Sequence, residues 1–185
     1  MISDIIRDAE TKMANAVEYA KEEFAAIRTG RAHPAMFAKL TADYYGAQTP
    51  LQQLATFQVP EARVVLITPF DQSSVNAIEK SIRDSDLGVN PSNDGKTIRV
   101  TLPQLTEERR KEYIKLARGK AEDGRVSVRN IRRTAKQGLE KLEKDGEVGK
   151  DDVTGAEKKL DATTKKHVDQ IDEMLKSKEA ELLEV

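Results

Sequence analysis

Residues 123–136 read DGRVSVRNIRRTAK and hold four arginines and one lysine, with Asp123 the one acidic residue. A guanidinium group presents a planar fork of donors that matches a phosphate two bonds at a time. The chemistry open to this stretch is anion binding, and a nucleic-acid backbone can engage several such groups in a row. The cations continue beyond it at helical spacing. Lys111, Lys115, Arg118, Arg125, Arg129, Arg132 and Lys136 follow one another at 4, 3, 7, 4, 3 and 4, and Glu122 is the acidic exception in register. Arg133 widens the row, and Arg109 and Arg110 extend the basic region at its start.

A helix must carry this row. Ile114, Ala117, Ala121, Gly124, Val128, Ile131, Ala135, Gly138 and Leu142 alternate at 3 and 4 through the same segment, the pattern of an apolar stripe. Gly124 and Gly138 weaken it by about 1 kcal/mol each. The basic row stands one residue on from this stripe and so lies about 100° around the helix. Two readings compete. In one, the charges are a solvated face paired with acids of neighbouring helices. In the other, they are a phosphate site. From Arg125 to Arg132 the row lacks acidic partners four residues on, which counts against the first. It also favours Arg over Lys and spans several turns. With almost no aromatics beside it, base stacking on single strands is not expected. Helical RNA, met through backbone and shape, fits better.

The whole chain is not basic: Lys plus Arg number 31 and Asp plus Glu 32. The polarity is internal. Residues 107–136 carry a net +6 and residues 137–185 a net −5. Of the residues, 34% are charged and 4% aromatic, which favours long helices over an all-β fold. There is no Cys, so disulfides, thiolate zinc and a cysteine nucleophile are excluded. No signal peptide or membrane span is visible, and a cytoplasmic protein is expected. His33 and His167 lack ligand-spaced companions, Asp151-Asp152 reads as a helix cap, and no phosphate loop, nucleophile elbow or HExxH occurs. No enzyme, metal or cofactor is expected. Tyr44-Tyr45, near a turn, reads as packing, with a contact surface as the alternative.

Further elements follow from the same periodicities. Residues 2–28 predict a helix capped by Ser3, with Ile2, Ile6, Ala9, Met13, Ala16, Ala20, Phe24 and Ile27 on one face and its end near Thr29-Gly30. All six prolines fall within residues 31–105, where MFAKLTADYY, LATFQV, RVVLITPF and KTIRVTL read as strands. SNDGK predicts a type I′ hairpin. Ser74 would cap a helix over residues 75–85. A helix from Thr106 spans about 38 residues, or about 57 Å. A last helix starts near Asp152. The fold class is α+β: an elongated three-helix bundle from residues 1–30 and 105–185, with a small β/α/β domain of residues 31–104 inserted. The two crossings, at Gly30-Arg31 and Pro103-Gln104, predict a hinge.

Five segments, in order, carry a family resemblance: IRTGRAHP (27–34), YYGAQTPLQQLA (44–55), VPEARVVLITPFD (59–71), GVNPSNDGKTIRVTLPQLTEERR (88–110) and GRVSVRNIRRTAK (124–136). The chain resembles the bacterial ribosome recycling factors over essentially its whole length, and departs from them at His33, where Ser is usual. The resemblance implies an L-shaped, tRNA-like outline and no enzymatic activity. It implies binding to the 70S ribosome after termination, as a monomer, and splitting of the subunits with elongation factor G and GTP. It places Arg110, Arg129, Arg132 and Arg133 against large-subunit ribosomal RNA, with Arg125 in the same row and Arg28 and Arg31 on a related surface near the hinge. The smaller domain would face elongation factor G. The rival reading is a helical protein-binding adaptor with a basic docking face.

Overall fold

Apolar residues every third or fourth position produce three long helices. In the computed structural model, which describes residues 1–184, they are α1 (Ile2–Ala25), α4 (Glu107–Lys144) and α5 (Lys150–Leu183). They pack on one another in a single unit made of residues 1–28 and the chain from Glu107 onward. Residues 29–106 form the other unit.

The α1 stripe is buried at Ala9, Met13, Ala20, Phe24 and Ile27. Two details differ from expectation. Met1, not Ser3, occupies the N-cap position, with no side-chain cap bond. The helix also ends at Ala25, a turn before Gly30. On α4 the buried residues are small: Ala117, Ala121, Gly124, Val128 and Ala135, with Leu139 the large one. Small residues let backbones approach closely, and Gly124 marks the tightest point. A Cβ there would lie 3.0 Å from Ile171 Cδ1 and 3.5 Å from Ala20 Cβ. The fifth helix buries Val153, Ala156, Leu160, Thr164, His167, Ile171 and Leu182. His167 is a seam residue whose Nδ1 lies 2.7 Å from the Thr163 carbonyl one turn back. Gly149, not an aspartate, stands at the α5 N-cap, and Asp151 and Asp152 lie in its first turn, where negative charge is favoured.

The other unit holds six strands and two short helices. The strands β1 (Thr41–Tyr44) and β2 (Ala47–Pro50) form a hairpin. After α2 (Leu51–Leu54) come β3 (Ala55–Glu61) and β4 (Val64–Pro69). A 3-10 turn leads to α3 (Val75–Arg83), and then β5 (Asn90–Asn93) and β6 (Ile98–Thr101) complete an antiparallel sheet of order β3-β4-β6-β5. Val65, Ile67, Ile98 and Val100 bury one sheet face under Val75, Ile78 and Ile82 of α3. This core also takes in Phe37, which stacks on Phe57 at 5.6 Å.

SNDGK does form a hairpin, joining β5 to β6, but not through a type I′ turn. There only Gly95 has positive φ. Four residues separate Asn93 from its partner Ile98, and Asp94 Oδ1 accepts the amides of Lys96 and Thr97. The type I′ turn is at Tyr45-Gly46, where both residues have positive φ (51° and 84°) between paired Tyr44 and Ala47. Residues 36–40 are not strand. Pro34–Phe37 form a 3-10 turn capped by His33 Nδ1, which accepts from the Ala35 amide. Ser74 does stand at the α3 N-cap, but its hydroxyl donates to the Asp71 carbonyl.

Gly124→Ala should destabilise the protein by about 1–3 kcal/mol, because the methyl group overpacks the point where three helices meet. At Gly138 a Cβ meets the Ile5 side chain at 3.4 Å and beyond, so Gly138→Ala should be neutral or stabilising by up to about 1 kcal/mol from helix propensity. Urea unfolding of both variants checks the contrast.

Candidate nucleic-acid interface

The rule that an apolar row buries itself places the basic row of α4 at the edge of its seam with α5. Three of its arginines cross that seam. Arg118 Nε donates to Glu179 Oε1 at 2.7 Å, Arg125 Nε to Asp172 Oδ1 at 2.6 Å, and Arg132 Nε to Asp161 Oδ1 at 2.7 Å. The arginines stand seven residues apart on α4. Their first two partners stand seven apart on α5 in the opposite direction, as antiparallel helices require. We call these three pairs the clasp. Arg125 is its most enclosed member, 19% exposed in its side chain, and it also pairs with Glu122 at 2.9 Å. The Asp172 hydrogen bond, then Glu122, hold its guanidinium charged more firmly than usual, against the cost of burial.

For three arginines the clasp bears out the reading in which the row pairs with acids of a neighbouring helix. The partners come from α5, a helix that spacing within α4 cannot see. Glu107 also pairs with Lys111 one turn on. Arg132 is not fully exposed, at 39% of its side chain, and carries a carboxylate partner.

A second set lies beside the clasp. Arg129 is 58% exposed and reaches an acid only at 3.9 Å, on Glu122. Arg133 is exposed and donates to the neutral Asn130 amide oxygen at 2.7 Å. No ion pair within 4 Å reaches Lys115 or Lys136 among the described residues. Arg110 is half-buried, and its Nε is shielded from solvent with no hydrogen-bond partner among the described residues. A guanidinium donor left unmatched is costly unless a ligand completes it. The structure thus brings Arg110, Arg125, Arg129, Arg132 and Arg133 onto one helix. Arg28 closes the first segment of the helical unit, and Arg31 belongs to the other unit; both are exposed.

On the far side of α4, Lys120 Nζ pairs with Glu23 of α1 at 2.7 Å. That contact and Tyr19 lower the Glu23 pKa, and Glu23 raises that of Lys120. In the smaller unit, the Tyr44 and Tyr45 hydroxyls both donate to Asp71 Oδ2, at 3.0 and 3.4 Å. No cluster of three or more potential metal ligands occurs among the described residues, and no helix there is long and apolar enough to cross a membrane.

Asp161, Asp172 and Glu179 were not singled out in the sequence. The heptad spacing of Asp172 and Glu179 against that of Arg118 and Arg125 is the signal that finds them, once α5 is known to run antiparallel to α4.

Fold and site together define a two-unit α+β protein with a cationic edge on its longest helix. The chain belongs to the ribosome recycling factor family, whose model matches residues 20–183. It is 68% identical to a ribosome-recycling factor of Nocardioides sp. (strain ATCC BAA-499 / JS614) over 185 residues, covering the whole of both chains. It is 63% identical to that of Streptomyces coelicolor over the same length, again covering both chains in full. A solution structure of a ribosome recycling factor superposes with a TM-score of 0.78 at 43% identity, covering 100% of this chain and 98% of that one. A second structure shows the T. thermophilus ribosome recycling factor and E. coli elongation factor G on the E. coli post-termination complex. Its TM-score is 0.66 at 40% identity, with both chains covered in full.

The clasp and the outer set should separate in stability measurements. Arg125→Ala is expected to cost about 1–2 kcal/mol in urea unfolding, since it strips two carboxylates of an enclosed partner. Arg129→Ala should stay within about 0.5 kcal/mol of the parent, as exposed long-range pairs do.

Proposed function

We propose that this chain is a translation factor that binds the post-termination ribosome and, with elongation factor G and GTP hydrolysis, splits it into subunits for reuse. The observation that carries the reading is family membership over the whole chain, alongside a cationic helix face of the right length and chemistry. The chain itself performs no catalysis in this scheme. Its task is mechanical. The helical unit anchors on large-subunit ribosomal RNA, and the partner GTPase acts on the smaller unit.

In the proposed anchor, Arg129, Arg133 and Arg110 contact phosphate directly. Each is either exposed without a close carboxylate or carries an unmatched donor. Arg132 contributes while keeping Asp161 as its second partner. Arg125 sits deeper, and its role is to hold α5 in place beside the row. Arg28 and Arg31 add positive charge near the crossings. Gly30, Arg31, Pro103 and Gln104 form or flank the hinge. Gly30 suits that role because its φ of +77° excludes most side chains, and a Cβ there would press on Leu105 Cγ at 3.3 Å.

The test is direct. Purified post-termination ribosomes, elongation factor G and GTP should split into subunits, read by light scattering, when this protein is added. Failure by a folded sample overturns the reading and returns the rival, an adaptor whose basic face docks on an acidic protein. The anchor has its own measurement. Arg129→Ala with Arg133→Ala should weaken ribosome binding by about 1–3 kcal/mol per residue. It should also flatten the dependence of log K on log salt by about 1 per lost phosphate contact, with thermal stability unchanged.

A further inference from the structure

The three clasp arginines are not held alike. Arg125 donates from Nε to Asp172 and from Nη1 to Glu122, so acids take two sides of its guanidinium. Arg118 and Arg132 each meet one acid, and they meet it through Nε, at 2.7 Å from Glu179 and from Asp161. Their side chains are 66% and 39% exposed, against 19% for Arg125. Among the described residues no second acid comes within 4 Å of either guanidinium.

A carboxylate on Nε occupies the inner edge of the guanidinium, next to the stem of the side chain. The outer edge, between Nη1 and Nη2, keeps its donors, and two parallel N–H bonds from that edge match a phosphate. An arginine with no such hold samples many rotamers and loses that freedom on binding. Held by Nε, it presents the same edge before a phosphate arrives. The hold recurs at two points about 21 Å apart along α4, with acids that both come from α5.

We propose that Asp161 and Glu179 are positioning residues for the phosphate site, and that Arg118 belongs to that site beside Arg132. This rests on the reading of the α4 edge as the RNA anchor. Charge and positioning pull in opposite directions here. A carboxylate beside a polyanion repels it, so charge alone predicts tighter binding once either acid is removed. Positioning predicts weaker binding, because each arginine then has to be ordered by the phosphate itself.

Binding of full-length variants to purified large ribosomal subunits is measured by co-sedimentation across a salt series. Asp161→Ala and Glu179→Ala should each bind about threefold to tenfold more weakly, the range for immobilising one long side chain. Asp161→Asn and Glu179→Gln still accept a hydrogen bond from Nε and no longer repel phosphate, so they should bind at least as tightly as the parent. In the Arg132→Ala background, Asp161→Ala should cause no further weakening. Alanine variants that bind as tightly as the parent, or more tightly, overturn the proposal. Amide variants as weak as the alanine ones overturn it too, since the bond to Nε is then not what matters. Weakening that persists without Arg132 marks a merely structural role for Asp161 and does the same. Arg132→Ala alone separates this proposal from the anchor. If it binds like the parent, the anchor is misplaced at Arg132 and the positioning falls with it. If it weakens binding and Asp161→Ala does not, the anchor stands and only the positioning fails.

Discussion

The close contact between α4 and its neighbours is the constraint on which the helical unit depends. The fourth helix buries Ala117, Ala121, Gly124, Val128 and Ala135, so α1 and α5 can approach its backbone. Close approach brings the side chains at the seam edge within bonding distance of the next helix. The arginines one position round from the buried stripe therefore meet α5 carboxylates at 2.6–2.7 Å. A stripe of larger residues would hold the helices apart and leave the whole row in water. The small-residue core thus decides which cations are tied and which remain available.

That division has a physical cost and a physical use. Exposed ion pairs contribute little to stability, since solvent screens them and the long side chains lose entropy. Arg125, more enclosed, contributes more. Their larger effect is geometric: they fix a net −5 segment against a net +6 one, so the pair is close to neutral while one edge stays basic. A phosphate backbone meeting that edge finds guanidinium groups already aligned, and the neighbouring carboxylates make it a poor match for an anion placed elsewhere on the seam.

Much of this was legible in the sequence because periodicity within one helix is a local property. The stripes of α1 and α4 were readable from spacing, and so were Val75, Ile78 and Ile82 of α3. The clasp was not, because pairing across a seam depends on which helix lies alongside and in which direction. The strands β2 and β5 were missed for a related reason. AQTP and NPSN lack β-branched runs and exist because a paired neighbour supplies their hydrogen bonds. The turn at Tyr45 escaped because propensity places Asp-Gly, not Tyr-Gly, in a type I′ turn. The failures of local rules thus fall at a seam, at edge strands and at one strained turn, where tertiary context overrides propensity.

The central claim is that the outer edge of α4 lies against ribosomal RNA. The chain has no cysteine, so a single one can be introduced cleanly and loaded with an iron chelate that generates hydroxyl radicals. At Gln137→Cys, one turn beyond Arg133 on α4, the account predicts localised cleavage of large-subunit RNA in the ribosome-bound complex. At Lys158→Cys, exposed on α5, it predicts weak cleavage or none. Cleavage from Lys158 with none from Gln137 would contradict it.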